Sequence, residues 1–190
     1  IARHTLLSDL RNNSMELLAL RGYCLDAGHY NELVEKVRNK ASVLFTHICR
    51  HIQVAINNWG QEDLQIVIDR QGGRDNYAPL LGKMFGQMEL EIIRQDRRLS
   101  SYQLRDGEKS VRLHFVVKAD ENYLPVCLAS MAGKYVRELL MDRINEYFLS
   151  RCPGLAPTAG YWQDGSRFIR EIKTNHPACQ YDYHKLVRVK

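Results

Sequence analysis

Apolar positions recur along this chain with two different periods. From Tyr30 to Asn57, the residues Leu33, Val34, Val37, Ala41, Leu44, Phe45, Ile48, Ile52 and Ile56 return every three or four positions. That spacing predicts one long amphipathic helix with a single buried stripe. Asn57-Asn58-Trp59-Gly60 ends it, and Leu64-Gln65-Ile66-Val67-Ile68-Asp69 follows as the most buried-looking strand of the sequence. A helix that delivers the chain into a buried strand is the arrangement of α/β folds.

The remaining pattern is shorter-ranged. Ala2 to Asn12 reads as a helix, and Met15 to Leu25, with Leu17, Leu18, Ala19 and Leu20, reads as a strand closed by Asp26-Ala27-Gly28. After the turn Gln71-Gly72-Gly73 comes a helix from Asp75 to Phe85, and Glu89 to Gln95 then alternates as a strand. Ser100 to Arg105 and Ser110 to Lys118 form a hairpin across Asp106-Gly107-Glu108-Lys109, a sequence suited to a tight turn. Pro125 opens a helix running to about Arg151, with Leu128, Met131, Tyr135, Leu139, Ile144 and Phe148 inward. Proline is tolerated in a first helical turn because the N–H it lacks has no partner there. Cys152-Pro153-Gly154 breaks this helix, and the tail holds Gly160-Tyr161-Trp162 and a short helix near Ser166 to Ile172. No internal repeat, low-complexity stretch or linker divides the chain. Residues 1–190 therefore read as a single domain, with 152–190 as a C-terminal extension of it.

Composition narrows the function classes. The net charge is +5 over 190 residues, which favours polyanionic partners without requiring them. No apolar run approaches the roughly 18 residues of a membrane span, and Arg3 and His4 interrupt the start where a signal peptide would be apolar. The five cysteines are widely spaced and form no C-x-x-C pair. They read as reduced thiols of a cytoplasmic protein with no membrane partner. His47 and His51 stand four residues apart but lack the glutamate of a zinc-protease motif, and are read as flanks of the helix stripe.

The candidate chemistry lies at the ends of elements. Asp69 terminates its strand, so it presents a carboxylate at the edge where open α/β sheets bind ligands. Some fifty residues on comes Lys118-Ala119-Asp120, and then a helix carrying Lys134, Arg137 and Glu138 within about one turn. Carboxylates beside cations suit a metal and a phosphate. Each residue has a plainer reading too. Asp69 serves equally as a turn acid, Asp120 as a structural residue and Asp164 as a helix cap. Glu138 would pair with Lys134 on a surface, worth only ~0.3–0.5 kcal/mol.

Four segments in order carry a resemblance. Val67-Ile68-Asp69 with Gly73-Arg74-Asp75-Asn76-Tyr77, then Val117-Lys118-Ala119-Asp120 with Tyr123 and Pro125, then Ala129-Ser130, Lys134 and Arg137, and finally Ala159-Gly160-Tyr161-Trp162-Gln163-Asp164 together resemble the type 2 ribonuclease H family. The resemblance spans roughly residues 15 to 190. It implies a ribonuclease H-like mixed sheet flanked by helices, and cleavage of RNA in RNA–DNA hybrids or at ribonucleotides embedded in a duplex. Family members hold two divalent ions, Mg²⁺ or Mn²⁺, on four carboxylates, and such a pair stabilises both the attacking and the leaving oxygen. Carried over, Asp69 is the third acid and Glu138 stands where the family has a fourth, aspartate. Lys118, Ser130 and Lys134 would contact substrate, the last two at its phosphates. Arg137 would do so or brace Glu138, and Tyr161 would pack on the sugar at the RNA–DNA junction.

Two departures accompany the resemblance. The adjacent Asp-Glu pair followed by Gly-Arg-Gly, which supplies the first two acids, is nowhere in the sequence. The expectation is that it lies upstream of Ile1 or on another chain. The second departure is the Ser100 to Ser110 hairpin, an extra feature whose surroundings carry Arg94, Arg97, Arg98, Arg105, Lys109 and Arg112 as a candidate basic surface. A catalytically impaired relative kept as a nucleic-acid or protein interaction module is the competing function, and another nuclease or transposase-like member of the wider fold is a weaker one.

Overall fold

The structure, a computed structural model, describes residues 2–61 and 63–189. In chain order its elements are α1 (Ala2–Asn12), α2 (Ala27–Val37), α3 (Lys40–Trp59), β1 (Leu64–Asp69), α4 (Ala78–Met84), β2 (Glu89–Gln95), β3 (Leu99–Asp106), β4 (Lys109–Val116), α5 (Ala119–Asn122), α6 (Leu124–Leu149), α7 (Trp162–Asn175) and α8 (Tyr183–Leu186). The fold is mixed α/β, as the alternation of periods predicts. Its sheet has the order β1-β4-β3-β2, with β1 parallel to β4 and the other two pairings antiparallel.

One face of the sheet makes the main core. Val111, Leu113 and Phe115 of β4 and Tyr102 and Leu104 of β3 are fully buried there. Phe45, Cys49, Ile52 and Ile56 of α3 cover them together with Leu81 of α4 and the flanking Tyr77 and Phe85. Tyr77 and Phe115 stack with ring centroids 3.7 Å apart at 8°, so the start of α4 is fastened flat on β4. The opposite face is polar and bonded within itself. Ser101 Oγ lies 2.9 Å from His114 Nδ1, and Arg112 Nε donates to Gln103 Oε1 at 3.0 Å. Burial holds the His114 pKa below the usual value, with Arg112 adding to the effect.

Several expectations are corrected here. Asp69's strand is an edge strand and only half-buried, whereas β4 and β3 of the predicted hairpin form the buried centre. The hairpin is thus the middle of the sheet and not an appendage. The single helix from Tyr30 to Asn57 is two helices. Arg38 adopts left-handed φ 52°, and the Asn39 side chain caps α3 by accepting from Ser42 N at 3.0 Å. Asparagine is a strong N-cap because its short amide satisfies a free helical N–H. The apolar run from Met15 to Leu25 is not a strand. Leu17, Leu18 and Leu20 are 54%, 63% and 61% exposed, while Tyr23 stacks on His47 at 4.5 Å.

A second core closes the C-terminal part. Phe148 at the end of α6 packs with Cys152, Leu155, Phe168 and Ile172. Of the six residues expected inward on α6, Phe148 is buried and Leu128 and Ile144 are partly so, but Met131, Tyr135 and Leu139 are exposed. Apolar and charged residues are interspersed around this helix, so periodicity does not single out a buried side. The helix expected near Ser166 to Ile172 is longer at both ends, running Trp162–Asn175. The last residues clasp back onto the N-terminal half. Asn31 on α2 donates to His184 O at 2.7 Å and Val187 O at 2.8 Å, and its Oδ1 accepts from Val189 N at 2.8 Å.

Candidate nucleic-acid interface at the sheet edge

Strand directions bring four chain segments to one edge. The register pairs Asp69 with Val116, Val116 with Leu99, and Ser100 with Gln95. The ends of β1, β4 and β2 and the start of β3 therefore lie side by side. Beyond them run the loop 70–77, the turn 96–98 and the segment 117–118 that opens α5. A parallel pair such as β1 and β4 leaves its C-terminal edge open for ligands because both chains depart from the sheet there.

Asp69 is joined to the Lys118-Ala119-Asp120 segment directly. Its Oδ1 accepts the Ala119 backbone N–H at 3.0 Å across fifty residues of sequence. Lys118 takes left-handed φ 55° just before it. The Lys118 Nζ donates to Glu121 at 2.9 Å, and that bond, reinforced by the Glu121 charge, raises the lysine pKa. Glu121 thus occupies this ammonium group in the structure.

The neighbouring loop and turn are braced by a cation that the sequence reading left unassigned. Arg70 donates from Nη1 to Arg97 O at 2.6 Å and from Nη2 to Asp96 O and Ser100 Oγ, both at 2.8 Å. Ser100 Oγ in turn donates to Asp75 O at 2.5 Å, and the Tyr77 hydroxyl accepts from Gln71 N at 3.0 Å. Asp96 accepts from the backbone of Arg98 and Leu99, then from Arg94, and these bonds lower its pKa to about 2. Arg74 lies over the Tyr77 ring, 5.8 Å from its centroid. The sequence signal for this construction was the Gly72-Gly73 turn directly after an acid-terminated strand.

Arg137 and Tyr161, two of the residues the resemblance assigns to substrate, are in direct contact. The Arg137 guanidinium lies 4.3 Å from the Tyr161 ring centroid, a cation–π geometry, and also donates to the Ala159 carbonyl. Gly160 makes this possible at φ 72°, with a Cβ there lying 2.7 Å from Met141 Sδ. Asp164 holds the same loop from inside the first turn of α7 and does not cap it. Its carboxylate accepts from Thr158 Oγ1 at 2.7 Å and Ala159 N at 2.6 Å and pairs with Arg167 at 2.8 Å. The Thr158 and Arg167 bonds lead in lowering its pKa to about 2. Tyr161 remains 66% exposed. Ser130 is half-buried on α6, and Lys134 and Glu138 are exposed. The i,i+4 ion pair of Lys134 with Glu138 does not form; the ion pairs of the described residues lie elsewhere.

The basic residues around the hairpin do not make one surface. Arg94 is spent on Asp96 at 2.6 Å, and Arg105 on Glu91 at 3.0 Å at the far end of the sheet. Lys109 opens β4 at that far end and Arg112 sits mid-strand on the polar face, 3.9 Å from Asp63. Among the described residues, Arg97 and Arg98 stand exposed at the Asp69 edge with no side-chain partner.

The donor set bears on a metal. Among the described residues no group of three or more His, Cys, Asp or Glu side chains is placed to hold an ion. Asp69 is exposed, and among the described residues its Oδ2 accepts no hydrogen bond. Among the described residues no helix is long and apolar enough to cross a membrane. The chain matches no protein-family model, no curated protein and no solved structure.

Proposed function

We propose that this chain acts on RNA–DNA hybrids or ribonucleotide-containing duplexes as a metal-dependent endonuclease. The observation that carries the reading is the bond from Ala119 N to Asp69 Oδ1, which locks two of the resembling segments together at the open edge of a parallel strand pair. The Arg137–Tyr161 stack adds a cation and a flat exposed ring, the combination that takes a phosphate and a sugar or base face. Asp69 and Glu138 are the residues that would hold a Mg²⁺ or Mn²⁺ ion, and such an ion would supply charge neutralisation at the phosphate under attack. Asp69 fixes the edge, Lys118, Ser130 and Lys134 contact the substrate, and Tyr161 packs on its sugar. The free thiols of all five cysteines suit a reducing cytoplasmic setting.

The second reading is a nucleic-acid binding module without catalysis. It is favoured by Asp69 having a structural task already, as the acceptor for a buried backbone N–H. Incubating the protein with a hybrid and with a DNA duplex bearing one ribonucleotide, in Mg²⁺ or Mn²⁺, separates the two. The nuclease reading expects metal-dependent cutting that Asp69→Asn abolishes. That variant keeps an oxygen for Ala119 N, so loss of cutting reports the charge and not the fold. Binding without cutting by the native chain leaves the module.

A further inference from the structure

We infer that the turn Asp96-Arg97-Arg98 is a second nucleic-acid contact, a clamp that grips the phosphate backbone of a duplex beside the Asp69 edge. The inference rests on the reading of that edge as a nucleic-acid site. What distinguishes the turn from an ordinary solvated connection is how completely its backbone is held. Asp96 N donates to Leu99 O at 2.9 Å, and Val117 N donates to Arg98 O at 3.0 Å. Arg70 takes the Arg97 and Asp96 carbonyls, and the Asp96 carboxylate takes the Arg98 and Leu99 amides. A turn of this length is thus pinned from β1, from the segment after β4, and from within.

The charges on the turn are sorted in the same way. Arg94 neutralises Asp96 and Arg70 is turned inward on carbonyls, so neither is available to a ligand. Arg97 and Arg98 are exposed, and neither side chain is engaged by another described residue. The pinned backbone fixes where the two guanidinium groups are presented, so that only their side-chain rotamers are ordered when they meet a phosphate. The position matters as well. Arg98 is bonded to the residue before Lys118, and Arg97 is held by the residue after Asp69, so the pair flanks the proposed site on its β2 side. Arg105 and Lys109 at the opposite end of the sheet carry charge without that placement.

The test is equilibrium binding of a labelled RNA–DNA hybrid in EDTA, measured by anisotropy across a series of KCl concentrations. Compared are the native protein, Arg97→Ala/Arg98→Ala, Arg105→Ala/Lys109→Ala and Asp69→Asn. Each neutralised phosphate contributes roughly 0.9 to the slope of log K against log salt. The Arg97/Arg98 variant is expected to bind about tenfold more weakly at moderate salt, with a slope lower by about two. The Arg105/Lys109 variant should match the native curve. Equal slopes for the native and Arg97/Arg98 proteins overturn the clamp while leaving the Asp69 reading intact. No hybrid binding by the native protein overturns both. Loss of binding in the Arg97/Arg98 variant, with no cutting by the native chain in the separate Mg²⁺ or Mn²⁺ incubation, retains the clamp and rejects the nuclease. Thermal melting of each variant checks that the fold is unchanged.

Discussion

Asp69 and Ala119 are tied by one hydrogen bond, from the buried Ala119 backbone N–H to the Asp69 carboxylate at 3.0 Å. This bond sets where the chain goes after β4, because Ala119 starts α5 and α6 follows within a few residues. An exposed acid at a strand end is therefore also a structural pin. Asp69→Ala should lower unfolding stability by about 1–3 kcal/mol, the cost of a buried donor left without an acceptor. Asp69→Asn should lie close to the native value. Urea titration of the two variants checks this, and equal midpoints would remove the structural role.

The Arg137–Tyr161 contact depends on the residue between their elements. Gly160→Ala meets both a left-handed φ of 72° and Met141 Sδ and Cε at 2.7 and 2.9 Å. Gly154→Ala, at φ 80° with open space around it, meets the backbone strain alone. Both variants should lose about 1–3 kcal/mol from strain, and Gly160→Ala should additionally weaken hybrid binding by moving the Tyr161 ring. Binding isotherms that fall equally for both would dissociate the stack from recognition.

The acid side of the stability curve should carry the signature of Asp164. Its pKa in the folded chain is about 2, below the usual 3.8, through Thr158, Arg167 and Ala159. A carboxyl lowered in this way stabilises the fold fully above its unfolded pKa, and the contribution fades as pH falls through the folded value. Melting temperature should thus drop between about pH 4 and pH 2, and Asp164→Asn should flatten that limb while lowering stability at neutral pH. An unaltered limb in the variant would assign acid sensitivity elsewhere, Asp96 being the next carboxyl held near 2.

Asn31 holds the C-terminus through three backbone groups of residues 184–189. It is 1% exposed, and leucine at this position would leave all three groups without their partner. Asn31→Leu should cost about 2–3 kcal/mol, and hydrogen exchange should accelerate at Val189 while Phe115 in the main core stays protected. Unchanged exchange at Val189 would show that the clasp is held by other contacts.

Much of the fold was readable because local pattern and local structure agreed. The strands β2, β3 and β4, the hairpin turn between the last two, and the proline-opened α6 follow from alternation and turn chemistry within a few residues of each element. The misreadings have two causes. Leu17, Leu18 and Leu20 look like a strand, but a strand exists only where another offers hydrogen bonds, and no strand of the described sheet pairs with them. The break at Arg38 was visible only in Asn39, whose capping role the continuous apolar stripe outweighed.

By itself the sequence determined the periods, and with them an α/β fold, an acid at the end of a strand and a positive charge. Tertiary structure decided which strand is central, which cations are free and which are spent. Strand order follows from how whole faces pack, so β1, apolar along its length, still fell at an edge while β4 took the centre. Charge works the same way. Arg70, Arg94, Arg97 and Arg98 are alike in sequence, yet packing turns the first inward and pairs the second, leaving the last two beside Asp69. The physical reason is range: periodicity records neighbours along the chain, whereas the partners that turn Arg70 inward come from a segment some thirty residues away.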